Sequence, residues 1–247
     1  MQLAHLIANE VLDAKAARRL ARLLSPVPAF AVHLPENNNR AEIEQYIAER
    51  FHAIHGAHVH DFMPTLLTMG CGGHISAASG VRAAAQQTLF LEQYLTEPVE
   101  QAVSRSAGER VERFKLAEIG NLVASQGGSS YLLFLVLTAT LNLAGFEWVV
   151  FTATPQVRKV LKALGLQTDV LCKADPARLA PGSADDWGQY YASHPQVVTG
   201  KVNDAMAVLE NRVLYAGILS IFRPQIEEMA AIIARESNRI GTFTLAA

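Results

Sequence analysis

Between Val111 and Gly165 the chain reads as a strand, a Gly/Ser turn, an apolar helix, a second strand and a second helix in close succession. The turn Ser125-Gln126-Gly127-Gly128-Ser129-Ser130 falls between strand and helix. The first helical N–H groups therefore point unpaired into the loop, where the helix dipole also favours an anion. That junction is a phosphate cradle in outline; the plainer alternative is that Gly127 and Gly128 only make the turn.

In the strand before the turn, a period of two puts Phe114, Leu116, Glu118, Gly120 and Leu122 on one face. Glu118 then lies among apolar neighbours, where a carboxylate either pairs with a cation or has its pKa raised by desolvation. The raised pKa suits a general base near neutral pH, whereas pairing makes Glu118 the structural partner of a core arginine such as Arg82. A candidate base on a strand that ends at a phosphate cradle points to group transfer from a phosphate-bearing carrier such as coenzyme A.

Half of the 247 residues are apolar, enough to bury a full core. The expected organisation is an N-terminal amphipathic helix over 1–29, a main domain over 30–201 and a helical extension over 202–247. A formal charge of −2 leaves no electrostatic footprint for nucleic acid. Cys71 and Cys172 are far apart and form no Cys-x-x-Cys pair, which fits a reducing compartment. Glu10 and Asp13 interrupt what would be the apolar part of a secretory signal, so a cytoplasmic location is expected. The run from Tyr131 to Phe146 contains Thr138, Thr140 and Asn142 and falls short of the about 20 apolar residues of a spanning helix, so it reads as a buried core helix.

Along the rest of the chain, Leu3 to Leu24 have near-helical spacing, as a cover for the domain or a membrane-surface helix. Phe30 to Leu34 reads as a strand and Ala41 to Ile54 as a helix stopped by Gly56. Thr65 to Met69 and His74 to Val81 flank a Gly70-Cys71-Gly72-Gly73 hairpin turn, and Phe90 to Val103 reads as a helix. After the strand Glu147 to Thr152, Thr154 and Pro155 cap a helix that ends before Gly165. Thr168 to Cys172 and Val197 to Lys201 read as further strands. In the helix-rich tail from Asn203 to Glu236, Val213 to Phe222 is too apolar to stay in water and needs the domain, a second subunit or lipid to cover it.

From Glu42 to about Gly200 the sequence resembles the thermostable haemolysin family. The segments that carry the likeness are Tyr46-Ile47-Ala48-Glu49-Arg50-Phe51, Phe62-Met63-Pro64, Phe90-Leu91-Glu92-Gln93-Tyr94-Leu95, Glu118-Ile119-Gly120-Asn121-Leu122, Gly145-Phe146-Glu147-Trp148-Val149-Val150-Phe151-Thr152 and Trp187-Gly188-Gln189-Tyr190-Tyr191. The order of elements also resembles the GNAT acyltransferases and, among them, the acyl-homoserine-lactone synthases. Glu118, Gly145, Thr152, Arg158 and Gly165 stand at places that match those synthases, while Gly120 and Asn121 replace the Ser and Arg of their Glu-x-Ser-Arg. The resemblance implies an α/β fold with a GNAT-like central mixed sheet flanked by helices. It further implies N-acyl transfer from an acyl thioester, carried by coenzyme A or by the phosphopantetheine of an acyl carrier protein, to an amine such as an amino acid. Catalysis would fall to Glu118, Asn121 and Tyr190. Donor contacts would come from Val123, Ser125, Gln126, Gly127, Gly128, Ser129 and Arg158, and acceptor contacts from Glu92, Arg82 and Thr152.

Other constellations compete. His52, His55, His58 and His60 invite a metal, but no adjacent Cys or acidic ligand completes a set, so a solvated or packed cluster and no metal is the expectation. Cys71 reads as a turn residue rather than a nucleophile, and Tyr190 with Tyr191 as core packing or as a proton donor to a leaving thiolate. A protein that lyses membranes directly through the N-terminal helix and the Val213 to Phe222 segment is the second functional reading, and a non-catalytic thioester-binding module the third. Peripheral membrane contact and a homodimer through the extension are compatible partners.

Overall fold

A computed structural model describes residues 24–125 and 128–239. Strand β1 (Ala29–His33) leads to helix α1 (Arg40–His55), the hairpin β2 (Thr65–Cys71) and β3 (His74–Ala83), and helix α2 (Val99–Ala107). Strand β4 (Leu116–Ala124), helix α3 (Ser129–Leu143), strand β5 (Trp148–Ala153) and helix α4 (Pro155–Leu164) follow. The chain continues through β6 (Asp169–Lys173), β7 (Gln196–Lys201), α5 (Val202–Glu210) and α6 (Val213–Arg239). The seven strands pair in the order β1-β2-β3-β4-β5-β7-β6. Only β4 with β5 is parallel, and α3 makes the crossover between them.

Alternation divides the buried side chains between the two faces of the sheet. Ala117 and Ile119 of β4 face the larger cluster with α3, α5 and α6, whereas Leu116 joins Trp148, Val150 and α2 on the other face, where Ile43, Ile47 and Phe51 of α1 also pack. Helix α3 is apolar nearly all round because it is covered twice: residues from Leu132 to Leu137 are buried in the cluster that holds both the sheet and α6. The run predicted to be a core helix is one.

The predicted stops and caps hold at both sides of the sheet. Gly56 closes α1 at φ 67°, its N–H donating to the His52 carbonyl. Thr154 Oγ accepts the Val157 N–H, with Pro155 at the first position of α4 and Gly165 after its end. Two predictions need correction. Phe90 to Val103 is not one helix but a 3-10 turn, Phe90–Tyr94, followed by α2, because Pro98 cannot continue a helix and instead precedes the second one. Phe114 does not belong to the strand: it sits in a 3-10 turn, Arg113–Lys115, and is 60% exposed. The N-terminal helix expected over residues 1–24 lies outside the described residues except for Leu24, which is buried in the main cluster.

Helix α6 uses the apolar stretch Val213 to Phe222 to cover the sheet and α3. Leu214, Tyr215, Ile218, Leu219 and Phe222 are buried there, leaving Val213 and Ile221 exposed. Phe222 meets Phe30 of β1 edge-to-face, with ring centroids 5.0 Å apart. Among the described residues no single helix is long and apolar enough to cross a membrane; α5 and α6 pass only as a pair bent by 106°. Phe222→Ala should therefore destabilise the fold by about 3–5 kcal/mol, the usual range for emptying a buried aromatic site. Denaturant titration checks this; a loss below about 1 kcal/mol would mean that α6 is not an integral layer of the core.

Candidate active site

The parallel pairing of β4 with β5 runs from Leu116↔Trp148 to Ile119↔Phe151 and stops. Beyond it β4 stays paired with β3, and β5 with β7. The two central strands therefore part, and a cleft of about 480 Å³ lies where they do. Gly120 to Ala124 form one wall, Phe151, Thr152 and the start of α4 another, and an aromatic group of Phe90, Tyr94, Trp187, Tyr190 and Tyr191 closes the far side.

A bulge in β4 accompanies this parting. The β3–β4 register shifts between Ala78↔Val123 and Gly80↔Gly120, and Asn121 takes up the extra residue at φ 49°. Asn tolerates that left-handed conformation better than most residues. The bulge also corrects the predicted alternation: Leu122 turns to the larger cluster and Val123 replaces it on the α1 side. The Asn121 amide is engaged at both ends, Oδ1 accepting the Met63 N–H at 2.8 Å and Nδ2 donating to the Asp61 carbonyl at 3.3 Å. Met63 in turn lies over Gly80 and Gly120, where an added Cβ would come within 2.5 Å of its side chain. Gly120 and Asn121, the two departures from Glu-x-Ser-Arg, are thus the pair that seats the Asp61–Met63 segment on the sheet.

Glu118 is 3% exposed and lines the cleft. Its Oε2 accepts the Phe90 N–H at 3.0 Å and its Oε1 the Leu91 N–H at 2.9 Å, while Arg82 Nη1 stands 3.9 Å away. Burial pushes its pKa up to about 7, against the two backbone donors and Arg82, which pull it down. Both readings of this residue are thus present in one geometry: an anchor for the 3-10 turn and a carboxyl poised near neutrality.

The other predicted residues divide. Tyr190, Thr152, Arg82, Asn121 and Val123 line the cleft with Glu118. Tyr190 is buried, and burial holds its phenol well above the ordinary value; Tyr94 and Tyr191 join hydroxyls at 2.5 Å beside it. Glu92 is not a cleft residue. Burial raises its carboxyl, but hydrogen bonds from Arg113 and from the Leu89 and Val99 N–H groups outweigh that and hold it at about 2. Arg158 is exposed on α4 and hydrogen-bonds Gln196.

At the predicted cradle, Ser125 donates both N–H and Oγ–H to the Ser76 carbonyl, pinning the end of β4. Gly128 caps α3 at φ 107°, and Ser129 is fully buried with no hydrogen-bond partner for its Oγ among the described residues. Gln126 and Gly127 lie outside the described residues. Among the described residues no group of three His, Cys, Asp or Glu could hold a metal. The His52 and His58 rings pack at 5.0 Å, and His55 packs against Tyr190 at 5.2 Å.

Sequence reasoning missed how the cleft is closed. At Gly188, φ is 50° and a Cβ would lie 2.3 Å from the His55 carbonyl oxygen, so the Trp187–Tyr191 turn docks directly on the end of α1. The Gln189 N–H donates to that same carbonyl at 2.7 Å, and the His58 N–H to the Asp186 carbonyl at 2.6 Å. Gly188 itself, between Trp187 and Tyr190, was the available signal.

A mixed sheet with a parted central parallel pair, a crossover helix and a glycine-capped junction defines a GNAT-like fold, and one solved structure of similar fold supports it. FeeM, an N-acyl amino acid synthase from uncultured soil microbes, is similar at 13% identity and a TM-score of 0.51, over 74% of this chain and 95% of that one. The CoA-dependent acyl-homoserine lactone synthase MesI aligns at 14% identity and a TM-score of 0.47, over 74% and 94% of the two chains. The AHL synthase LasI aligns at 12% identity and 0.49, over 71% and 90%. The chain belongs to the thermostable hemolysin family, whose profile matches residues 33–206. No curated protein matches it in sequence.

A buried carboxyl with a raised pKa makes stability fall with pH. Below the unfolded value both states are protonated; between that value and about 7 only the folded state keeps the proton, so roughly 3 kcal/mol is lost across this window and none above it. Denaturation of the unmodified chain and of Glu118→Gln across pH 4–8 should show this slope in the first and not in the second. Parallel curves would place the ionisation of Glu118 elsewhere.

Proposed function

We propose that the protein is an N-acyltransferase that moves an acyl group from a thioester to an amine. The observation that carries the reading is a buried carboxyl, Glu118, which lines the cleft where β4 and β5 part and whose pKa burial pushes up to about 7. From Gly120 to Ala124 the edge of β4 that faced β5 has no strand partner, while the other edge stays paired with β3, so it offers strand-edge groups to an amide-bearing arm such as phosphopantetheine, as an added strand would be held. The junction at Gly128 and Ser129 fits the phosphate of such a carrier: the first N–H groups of α3 lack an intrahelical acceptor there, and Ser129 Oγ is buried without a partner among the described residues. Acyl-CoA and acyl carrier protein both present this chemistry, and a cytoplasmic location is where either is met.

The amine nitrogen attacks the thioester carbonyl, forming the N–C bond. Glu118 takes the amine proton directly or through water, and a backbone N–H of the unpaired β4 edge stabilises the oxyanion. As the C–S bond breaks, the leaving thiolate accepts a hydrogen bond from a tyrosine of the Tyr94, Tyr190 and Tyr191 group, whose raised pKa values keep the phenols protonated, and takes up through water the proton that Glu118 received from the amine. Asn121 positions the Asp61–Met63 wall of the cleft rather than a reacting atom. The product, an acylated amine, is an amphiphile, which reconciles group transfer with the family's name.

Release of free thiol from a panel of acyl-CoA and acyl carrier protein thioesters, with amino acids and polyamines as acceptors, tests the reading. Transfer should rise with pH through about 7 as Glu118 ionises, and Glu118→Gln should lower it at least about tenfold. Unchanged transfer in a folded variant would remove Glu118 from the chemistry. Absence of thiol release with every donor would overturn the acyltransferase reading itself.

Gly128→Val should act on the donor instead. A φ of 107° strains any L side chain, and the substitution disturbs the junction without touching Glu118. The apparent donor constant should rise more than the rate of the chemical step changes. Unaltered donor affinity in Gly128→Val would place the carrier elsewhere.

A further inference from the structure

Two arginines are buried among the described residues, Arg40 and Arg82. They are treated in opposite ways. Arg40 satisfies every nitrogen: Nε reaches Glu44 at 2.7 Å, Nη1 the His33 and Pro64 carbonyls at 3.0 Å, and Nη2 the Met63 carbonyl at 2.7 Å. Arg82 makes no hydrogen bond to the described residues. Its Nε is buried without a partner, and its two terminal nitrogens stand 3.7 Å from Asp61 and 3.9 Å from Glu118, beyond hydrogen-bond distance. A guanidinium carries five donors in a planar fork, and of these the enclosed Nε–H is left unsatisfied at a cost. Arg82 lines the cleft beside Glu118.

We infer that Arg82 receives a carboxylate of the acceptor, so that the amine acylated beside Glu118 is that of an amino acid. This rests on the acyltransferase reading of the cleft and names its second substrate. The fork matches a carboxylate with two parallel N–H···O bonds. Arg82 and Glu118 face each other across β3 and β4, so they offer a cation and a carboxylate side by side. An amino acid presents the reverse pair, amine and carboxylate, one carbon apart. Asp61, 73% exposed, is the nearest competing anion and can turn to solvent when the substrate carboxylate enters.

Thiol release is measured with matched acceptors, glycine against methylamine, leucine against isopentylamine and phenylalanine against phenethylamine, in the unmodified chain and in Arg82→Gln. The substitution should raise the KM of the amino acids, relative to their carboxylate-free counterparts, by about 10- to 100-fold, the worth of a charge-assisted pair. Comparing the two chains cancels the difference in amine basicity. An equal change for both members of each pair would overturn the inference and leave Arg82 a structural partner of Glu118. A second measurement holds even if the variant does not fold: calorimetric binding of N-acylglycines and of the matching N-methylamides, acetyl to palmitoyl, to the unmodified chain. The acids should bind at least about tenfold tighter, and equal or undetectable binding of the two series would overturn the carboxylate site. If no acceptor supports thiol release, the acyltransferase reading fails, while the calorimetric comparison still decides for or against the carboxylate site.

Discussion

One inserted residue in β4 organises the site. Without the bulge at Asn121, β4 would keep a single alternation, with Leu122 on the Glu118 face and Val123 on the other. With it, the stretch beyond Ile119 turns away from β5 while β3 follows, and the cleft forms in a sheet that is otherwise continuous. The Asn121 side chain fixes the same bulge from outside by gripping Asp61 and Met63. Arg40 grips the Met63 and Pro64 carbonyls from α1, so this irregular segment is held at both ends. Backbone irregularity is tolerated here because its polar groups are accounted for.

Glu92 and Glu118 show how far packing alone separates two identical side chains. Arg113 hydrogen-bonds both Glu92 oxygens and reaches Glu100 and the Ala84 and Gln87 carbonyls as well, and the carboxyl is held at about 2. Glu118 is more deeply buried and has only two backbone donors and a distant guanidinium, and its carboxyl rises to about 7. The first is locked ionised as a structural knot. The second is left to ionise near neutral pH, the kind of perturbation that marks a candidate site.

Periodicity and punctuation made most of the fold legible: Gly56, Thr154, Pro155 and Gly165 marked helix ends by mechanisms that act locally, and the run after Gly128 was apolar enough to demand burial. The site was legible only where chemistry was written in a single residue, as with Glu118 among apolar neighbours. It failed where the decisive contact is long-range. Nothing near Glu92 in the chain announces Arg113, and Asn121 as a clamp depends on Met63, which a period-two reading of the strand cannot see. The bulge had a faint signal in Gly120-Asn121, but without Met63 over the glycines that pair reads as a change of chemistry rather than of shape.

The weak Arg82–Glu118 contact follows from the same topology. Directly opposed residues on antiparallel strands hold their Cβ atoms about 5 Å apart, on the same face. An arginine is far longer than that gap and reaches past a short opposed carboxylate unless something folds it back. Here the Glu118 oxygens are already turned toward the Phe90 and Leu91 N–H groups, so no bidentate pair forms and the fork is left at the cleft. Had β3 been offset by two residues, the guanidinium could have met the carboxylate end-on, as Arg113 meets Glu92, and Glu118 would be a fixed anion with no use as a base. The register that sets Arg82 opposite Glu118 therefore leaves the two groups 3.9 Å apart without a hydrogen bond between them, which is the arrangement that the proposed roles of base and carboxylate receptor require.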